Sequence, residues 1–519
     1  MKDYRRLKIF IIFWILSIIF IDGFLFRIQV QEPIKREILK REKERGIIYD
    51  RWGRELVFNI SRKSLAINPS NINDKEKDLL IDKLSLCLNI SKNNLIKKFN
   101  YKGNFVWIKR ILSPREIKML KDVISDNKVF FVNETFRTHP ISIGTSPLLG
   151  IVGVDNQGLF GLEAILDPYL SEGKNIFLTI DKDLQYLCAS YLKEGIEKYK
   201  AKGGIVGVLD VNSGEILSYA IMPDFDIKEE SLADIIERLK DNYPLNYIYE
   251  PGSIFKILTT AIALEEKIID PKWEIVCKGK EEVDNHIIHC TKEHGKVNLE
   301  KAIIDSCNIY FYHLSQKIGA NLWYKYLNRF NLISPISGDI IISLKDYLCP
   351  NLYESKFTLG TIGFGQGIAL SPLKILWSFS AVANDGWINE LHLIKKIEDE
   401  KGIIIFKNEP KKLYQAISSD TSKKILSYLF GVVNKGTANN LNIKGYKIAG
   451  KTGTPEVAKN NGYNDIYNHF FLGFLFLNDK TYAIIVMLEE PKIGKYARET
   501  VVPIFREIVK KLILYGMRE

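Results

Sequence analysis

The apolar pattern opens on Ile9 to Ile21, a run broken only by Ser17 and partly extended by Phe24 to Val30. Together these stretches reach the roughly 20 residues that cross a bilayer. Arg27 can snorkel to an interface, with Asp22 at the outer boundary or paired with it. No small-x-small site follows, so the pattern predicts an uncleaved single-pass anchor within residues 1–30 rather than a removed leader. Lys2, Arg5, Arg6 and Lys8 before it predict an inside N-terminus, although Lys35 to Arg45 on the other flank is even more basic. Glu32 to Arg45, with Glu37 and Arg41 four apart, reads as an exposed helical stalk.

Gly46 to Tyr49 is a strand-like run ending in the Asp50–Gly53 turn. Up to about Ser171, short strand and helix signals alternate without a catalytic constellation. Lys75 to Leu88 and Ser113 to Ile124 carry helical periodicity behind capping or acidic residues. Residues 31–174 therefore read as a positioning or docking domain.

A different pattern begins at residue 175 and runs to 519. Ile176 to Ile180 is a strand, and Asp181 caps a helix starting near Lys182. Gly204–Asp210 and Glu215–Ala220 flank Asn212-Ser213-Gly214, a hairpin signal. Helices are expected over Phe255–Leu264 and Leu299–Ile318. Strands are expected over Tyr446–Thr452, Phe470–Phe476 and Tyr482–Leu488, then a closing helix over Ile504–Leu514. The expected class is α+β: an antiparallel sheet with helices on both faces, its first strands before the helical part and its last ones after.

The chain has 519 residues, 46% of them apolar and 26% charged, which suits two or three globular domains. Its net charge of +11 comes from Lys and Arg dispersed along the whole length. Nucleic-acid binding calls for basic residues gathered on one face with stacking aromatics, a pattern this chain lacks. Cys277 and Cys290 bracket a loop-like stretch and could form a disulfide or remain two half-buried thiols. His286, His289 and His294 raise the question of zinc, but no paired Cys-x-x-Cys framework is present and no metal or cofactor is expected.

Candidate chemistry lies in three short motifs: Ser253-Ile254-Phe255-Lys256, Ser306-Cys307-Asn308 and Lys451-Thr452-Gly453-Thr454. Ser-x-x-Lys also occurs at Ser125, Ser171, Ser190 and Ser371, and Ser-x-Asn at Ser91 and Ser125, so neither is informative alone. The Lys-Thr-Gly tripeptide occurs once, and the order of all three carries the signal. Glu250-Pro251-Gly252 turns the chain so that Ser253 opens a helix, with Lys256 one turn on to take its proton. That role needs a neutral lysine, and burial beside the Lys451 cation would supply one. Ser306 would relay the proton to a leaving nitrogen, while Asn308 would orient Lys256 and hold substrate backbone. Lys451, Thr452 and Thr454 would bind a carboxylate, and Gly453 would let the substrate lie close to the strand. The N–H groups of Ser253 and Thr454 would form the oxyanion hole.

On these motifs the chain resembles the class B penicillin-binding proteins, over nearly its whole length. Arg45-Gly46-x-Ile48-x-Asp50-Arg51-x-Gly53 and Gly158-x-x-Gly161-Leu162-Glu163 are similar to the runs that open and close that family's pedestal domain. Gly365-Gln366-Gly367, Ser371-Pro372-Leu373 and Phe470-Phe471-x-Gly473-Phe474 resemble later blocks, whereas Ile254 and Pro455 depart from the usual pattern. The resemblance implies a membrane-anchored D,D-transpeptidase with its catalytic domain outside the cytoplasmic membrane, acting on peptidoglycan stem peptides and acylated by β-lactams. It also implies lipid-linked nascent glycan, a glycan polymerase and divisome or elongasome proteins as partners. Arg137-x-His139-Pro140 and Gly494-Lys495-Tyr496 lean towards the septal type, and Ser306 to Tyr312 towards the elongation type. The rival readings are a hydrolytic relative (a class D-like β-lactamase or a D,D-carboxypeptidase) and a non-enzymatic β-lactam receptor or scaffold. The long pedestal argues against the first, and the intact Ser253, Lys256 and Lys451 against an inactive scaffold.

Overall fold

The computed structural model describes residues 43–516, apart from 125–127, 140–143, 154, 226–231, 242–246, 271, 284, 337, 340–346, 349–351 and 460–461. The expected anchor and most of the charged stalk lie outside the described residues. Among the described residues no helix is long and apolar enough to cross a membrane.

In the N-terminal part, β1 (Ile48–Tyr49), β3 (Val106–Lys109) and β4 (Val129–Thr138) all pair antiparallel with β2 (Glu55–Ile67). Helix α1 (Asp74–Leu88) is capped by the Asn73 side chain, which accepts from the Glu76 N–H. Its Ile81, Leu84 and Leu88 form one buried stripe, meeting Leu95 and Phe99 of α2 (Lys92–Phe99) and Leu65 and Ile67 of β2. The helix expected from Ser113 forms with a Ser113–Glu116 capping box but ends at Met119. The chain then turns so that both Leu120 and Val123 are buried.

The two pedestal motifs meet in a buried ion network. Arg45 donates to Glu163 Oε2 at 2.7 Å and to the Glu163 carbonyl at 2.8 Å, and Arg137 donates to Glu163 Oε1 at 2.7 Å. Glu163 is fully buried, and removing one partner of such a cluster typically costs about 3–5 kcal/mol. Glycine is required at two positions here. A Cβ on Gly46 would stand 1.9 Å from the Lys174 carbonyl oxygen, and one on Gly158 2.0 Å from that of Glu163. These residues hold the pedestal together.

From residue 175 the chain forms β5 (Asn175–Leu178), α3 (Lys182–Tyr199), and the expected hairpin β6 (Gly203–Asp210) and β7 (Ile216–Met222). Helix α4 (Lys256–Glu265) follows, then α5 (Leu299–Asp305), α6 (Asn308–Arg329) and α7 (Pro372–Ser380). The rest is β8 (Ile394–Glu398), β9 (Ile404–Lys407), α8 (Ser419–Lys435), β10 (Lys447–Gly453), β11 (His469–Leu477), β12 (Lys480–Glu489) and α9 (Ala497–Gly516). The C-terminal sheet runs β10-β11-β12-β6-β7, antiparallel throughout, so strands from both ends of this part meet as expected.

Strand alternation sorts its two faces. A Cβ on Gly204 would meet Leu192 of α3, and one on Gly207, of opposite parity, would meet Leu376 of α7. Helix α9 shares the α3 face, its Phe505 ring 4.6 Å edge-on from Phe471 of β11. Helix α4 is buried almost all round and forms the core of the helical side. The second sheet, ordered β9-β8-β5-β1-β2-β3 with β4 on β2, joins N-terminal strands to β8 and β9 from much later in the chain.

Candidate active site

Ser253 and Lys256 are placed by a change of helix type. Gly252–Phe255 is a 3-10 turn that leads directly into α4, whereas the sequence placed Ser253 at the head of the α-helix itself. Side chains three apart eclipse in a 3-10 turn, so this backbone puts Lys256 on the same side of the turn as Ser253. Gly252 has φ +53°, and a Cβ there would press on Pro455 at 2.9 Å. The Gly252 N–H donates to the Gly365 carbonyl at 3.2 Å, and the Gly367 N–H to Glu250 Oε1 at 2.9 Å. The Gly365-Gln366-Gly367 block thus buttresses the nucleophile turn. Ser253 is half-buried, Phe255 stacks on Trp323 at 5.6 Å, and Lys256 is fully buried.

The helix expected over Leu299–Ile318 is broken at the motif. Ser306 takes φ +59° and ends α5, and Asn308 begins α6. This break turns the Ser306 carbonyl and hydroxyl towards Lys256, whose Nζ donates to them at 2.8 and 3.0 Å and to Asn308 Oδ1 at 2.7 Å. The Asn308 amide donates in turn to the His289 carbonyl at 2.8 Å, which fixes its orientation. Lys451, fully buried at the end of β10, donates to Ser306 Oγ at 2.9 Å from the other side. Both lysines therefore converge on one hydroxyl.

Two ammonium groups this close and this dry are costly. Burial pulls Lys256 down to about 8. Burial, with the charge of Lys256, holds Lys451 well below the ordinary lysine range. Burial is the first cause for both lysines.

The third motif is also tied to its own surroundings. The Cβ direction of Gly453 faces the Pro251 carbonyl at 2.9 Å and Ile254 at 3.3 Å, so this glycine lets β10 approach the nucleophile turn. The Thr452 hydroxyl pairs with that of Thr437 at 2.9 Å, and the Thr454 hydroxyl accepts from the Ala497 N–H at 3.3 Å. We expect Gly453→Ala to push β10 off the Ser253 turn and to slow β-lactam acylation at least tenfold; stopped-flow labelling of the folded variant measures it.

Among the other Ser-x-x-Lys matches, Ser371 caps α7 and Lys374 donates to the carbonyls of Leu332 and Ser334, a structural use. Two contributors escaped the sequence reading. The Phe311 ring lies 5.5 Å from Lys256 Nζ, a placement that its i+3 spacing from Asn308 foreshadows. Thr437 has no sequence signal, because its link to Thr452 exists only once α8 packs on β10. Cys277 and Cys290 are free thiols, so the disulfide alternative is not what the structure holds.

Comparison with known proteins bears on the family and the fold. Residues 204–510 match the penicillin binding protein transpeptidase domain, and residues 40–173 the penicillin-binding protein dimerisation domain. Stage V sporulation protein D of Bacillus subtilis is 30% identical, over 87% of this chain and 75% of that protein. The peptidoglycan D,D-transpeptidase FtsI of Buchnera aphidicola subsp. Baizongia pistaciae is 26% identical, over 91% of this chain and 86% of its own length. The crystal structure of penicillin binding protein 3 from Mycobacterium tuberculosis, complexed with aztreonam, shares the fold with a TM-score of 0.70 at 21% identity, covering 91% of this chain and 96% of that one. Three motifs gathered round one hydroxyl, behind a pedestal of matching descent, place this chain in the class B penicillin-binding proteins, as a transpeptidase enzyme.

Proposed function

We propose that the enzyme cross-links peptidoglycan stem peptides through a Ser253 acyl-enzyme and is acylated by β-lactams at the same residue. The observation that carries this reading is the Ser306 hydroxyl held between Lys256 and Lys451. Neutral Lys256 takes the Ser253 proton as Oγ attacks the penultimate D-Ala carbonyl. Ser306 passes a proton to the departing nitrogen, and terminal D-Ala leaves. The amine of a neighbouring strand then attacks the ester and frees Ser253. Lys451, Thr452 and Thr454 receive the donor carboxylate, whose charge favours a protonated Lys451. The N–H groups of Ser253 and Thr454 face the oxyanion, each such donor being worth about 2.7–4 kcal/mol.

The test is mass spectrometry of the products from a D-Ala-D-Ala stem peptide with and without an acceptor amine. Cross-linked product supports the reading. Rapid hydrolysis alone, or fast turnover of a reporter β-lactam, would instead make the chain a hydrolase. Acylation should also rise with pH. A base near 8 is only about one-tenth neutral one unit below that value, so the rate should fall roughly tenfold per unit below it and level off above. A flat profile between pH 6 and 9 would remove Lys256 from the role of base.

We place the enzyme outside the cytoplasmic membrane, on the single N-terminal anchor, working with a glycan polymerase in the septal setting. Gly494-Lys495-Tyr496 supports that setting, whereas Arg137 is accounted for by its ion pair with Glu163. Depletion should make cells filament; rounding would point to elongation.

A further inference from the structure

Three cysteines and a histidine converge directly behind the Ser306-Cys307-Asn308 turn, outside the reaction described above. The sulfurs of Cys277, Cys290 and Cys307 and a ring nitrogen of His294 all lie within 4.8 Å of one another. Cys277 ends a strand (Ile275–Cys277) paired with Gly295–Val297, which brings His294 alongside it. Cys290 follows the hairpin Lys280–Val283/His286–His289, and Cys307 immediately precedes α6. No Cys-x-x-Cys pair exists in the sequence because the ligands come from three separate elements, which is why spacing alone gave no metal signal.

The distances fit a tetrahedral ion. Zinc–sulfur bonds of about 2.3 Å at tetrahedral angles set sulfurs about 3.8 Å apart. Cys290 and Cys307 are separated by 3.8 Å, far beyond a disulfide bond, and Cys277 Sγ lies 3.3 Å from His294 Nδ1. His294 is 6% exposed, and its Nε2 has no hydrogen-bond partner, so neither ring nitrogen is committed to an oxygen acceptor. The Asn308 N–H points at Cys290 Sγ at 3.2 Å, as is usual around metal-bound sulfur. The Lys301 ammonium pins the His294 carbonyl at 2.9 Å. Cys277, Cys307 and His294 are buried and Cys290 is half-buried, and Ser253 is not among the ligands. A closed set of three sulfurs and one nitrogen suits a structural ion.

We infer that Cys277, Cys290, His294 and Cys307 bind one zinc ion, which clamps the Ser306–Asn308 turn to the two hairpins and so holds the acceptors of Lys256 in place. Binding displaces the thiol protons and changes no oxidation state. The metal site stands independently of the function proposed above; its effect on Lys256 rests on that proposal.

The full chain, purified without added metal, should contain one zinc per molecule by plasma mass spectrometry. Cys307→Ser and His294→Ala should each lose it, and Cys87→Ser, in the pedestal, should retain it. Chelation followed by Co2+ should give the intense visible bands of a tetrahedral thiolate site in the unmutated chain, a reading that does not depend on any variant folding. Acylation should slow at least tenfold on chelation and recover on adding Zn2+. Absence of metal with no cobalt spectrum, or loss of two titratable thiols to a Cys290–Cys307 disulfide, overturns the site. Full zinc occupancy with acylation unaffected by its removal overturns the clamping role alone. Metal content is measured whether or not the chain reacts with penicillin, so the two proposals fail separately.

Discussion

Ser253→Ala is expected to abolish covalent labelling by fluorescent penicillin while leaving the thermal unfolding transition in place. Ser253 is half-buried on a 3-10 turn whose position is set by Gly252, Gly365 and Gly453. No hydrogen bond from its hydroxyl helps to hold that turn among the described residues, so its loss leaves the packing intact. The nucleophile has no substitute: the Ser306 hydroxyl is already held by two lysines, and Thr452 and Thr454 are engaged with Thr437 and Ala497. Gel fluorescence with intact-mass spectrometry reads the result, and labelling at unchanged stoichiometry would relocate the nucleophile.

The second large effect is expected from Lys256→Ala. Losing a positioned general base typically costs about 10²–10⁴ in rate. This lysine also ties Ser306 and Asn308 together, so the upper part of that range is expected. The substitution also removes a buried amine, which relieves a desolvation cost, so stability should fall less than activity does. Stopped-flow acylation beside a thermal melt separates the two. Retention of the unmutated rate would assign the base to Lys451.

Much of this was legible beforehand, for local reasons. The hairpin β6–β7 was marked by its Asn-Ser-Gly turn and α3 by the Asp181 cap. The order of the three motifs pointed to the chemistry before any geometry. The break between α5 and α6 was hidden because Leu299–Ile318 keeps an apolar rhythm straight through Ser306, and nothing local announces a left-handed serine. The close approach of Gly453 to the nucleophile turn was hidden for a related reason: what a glycine faces depends on the fold, and Pro251 is distant in sequence. The cysteine cluster was obscured in the same way, since its members come close only after two hairpins and a helix start have packed.

The strands β8 and β9 carry a consequence for biosynthesis. They complete a sheet begun by Ile48–Tyr49: that strand pairs with β2 and β5, and the outer edge of β5 waits for β8, made about 220 residues later. Until then the early half carries an open edge, the kind of surface that invites wrong pairing. A pedestal fragment cut at the natural-looking boundary near residue 174 would lose β5 as well, leave Ile48–Tyr49 with an open edge for good and should clump when expressed alone.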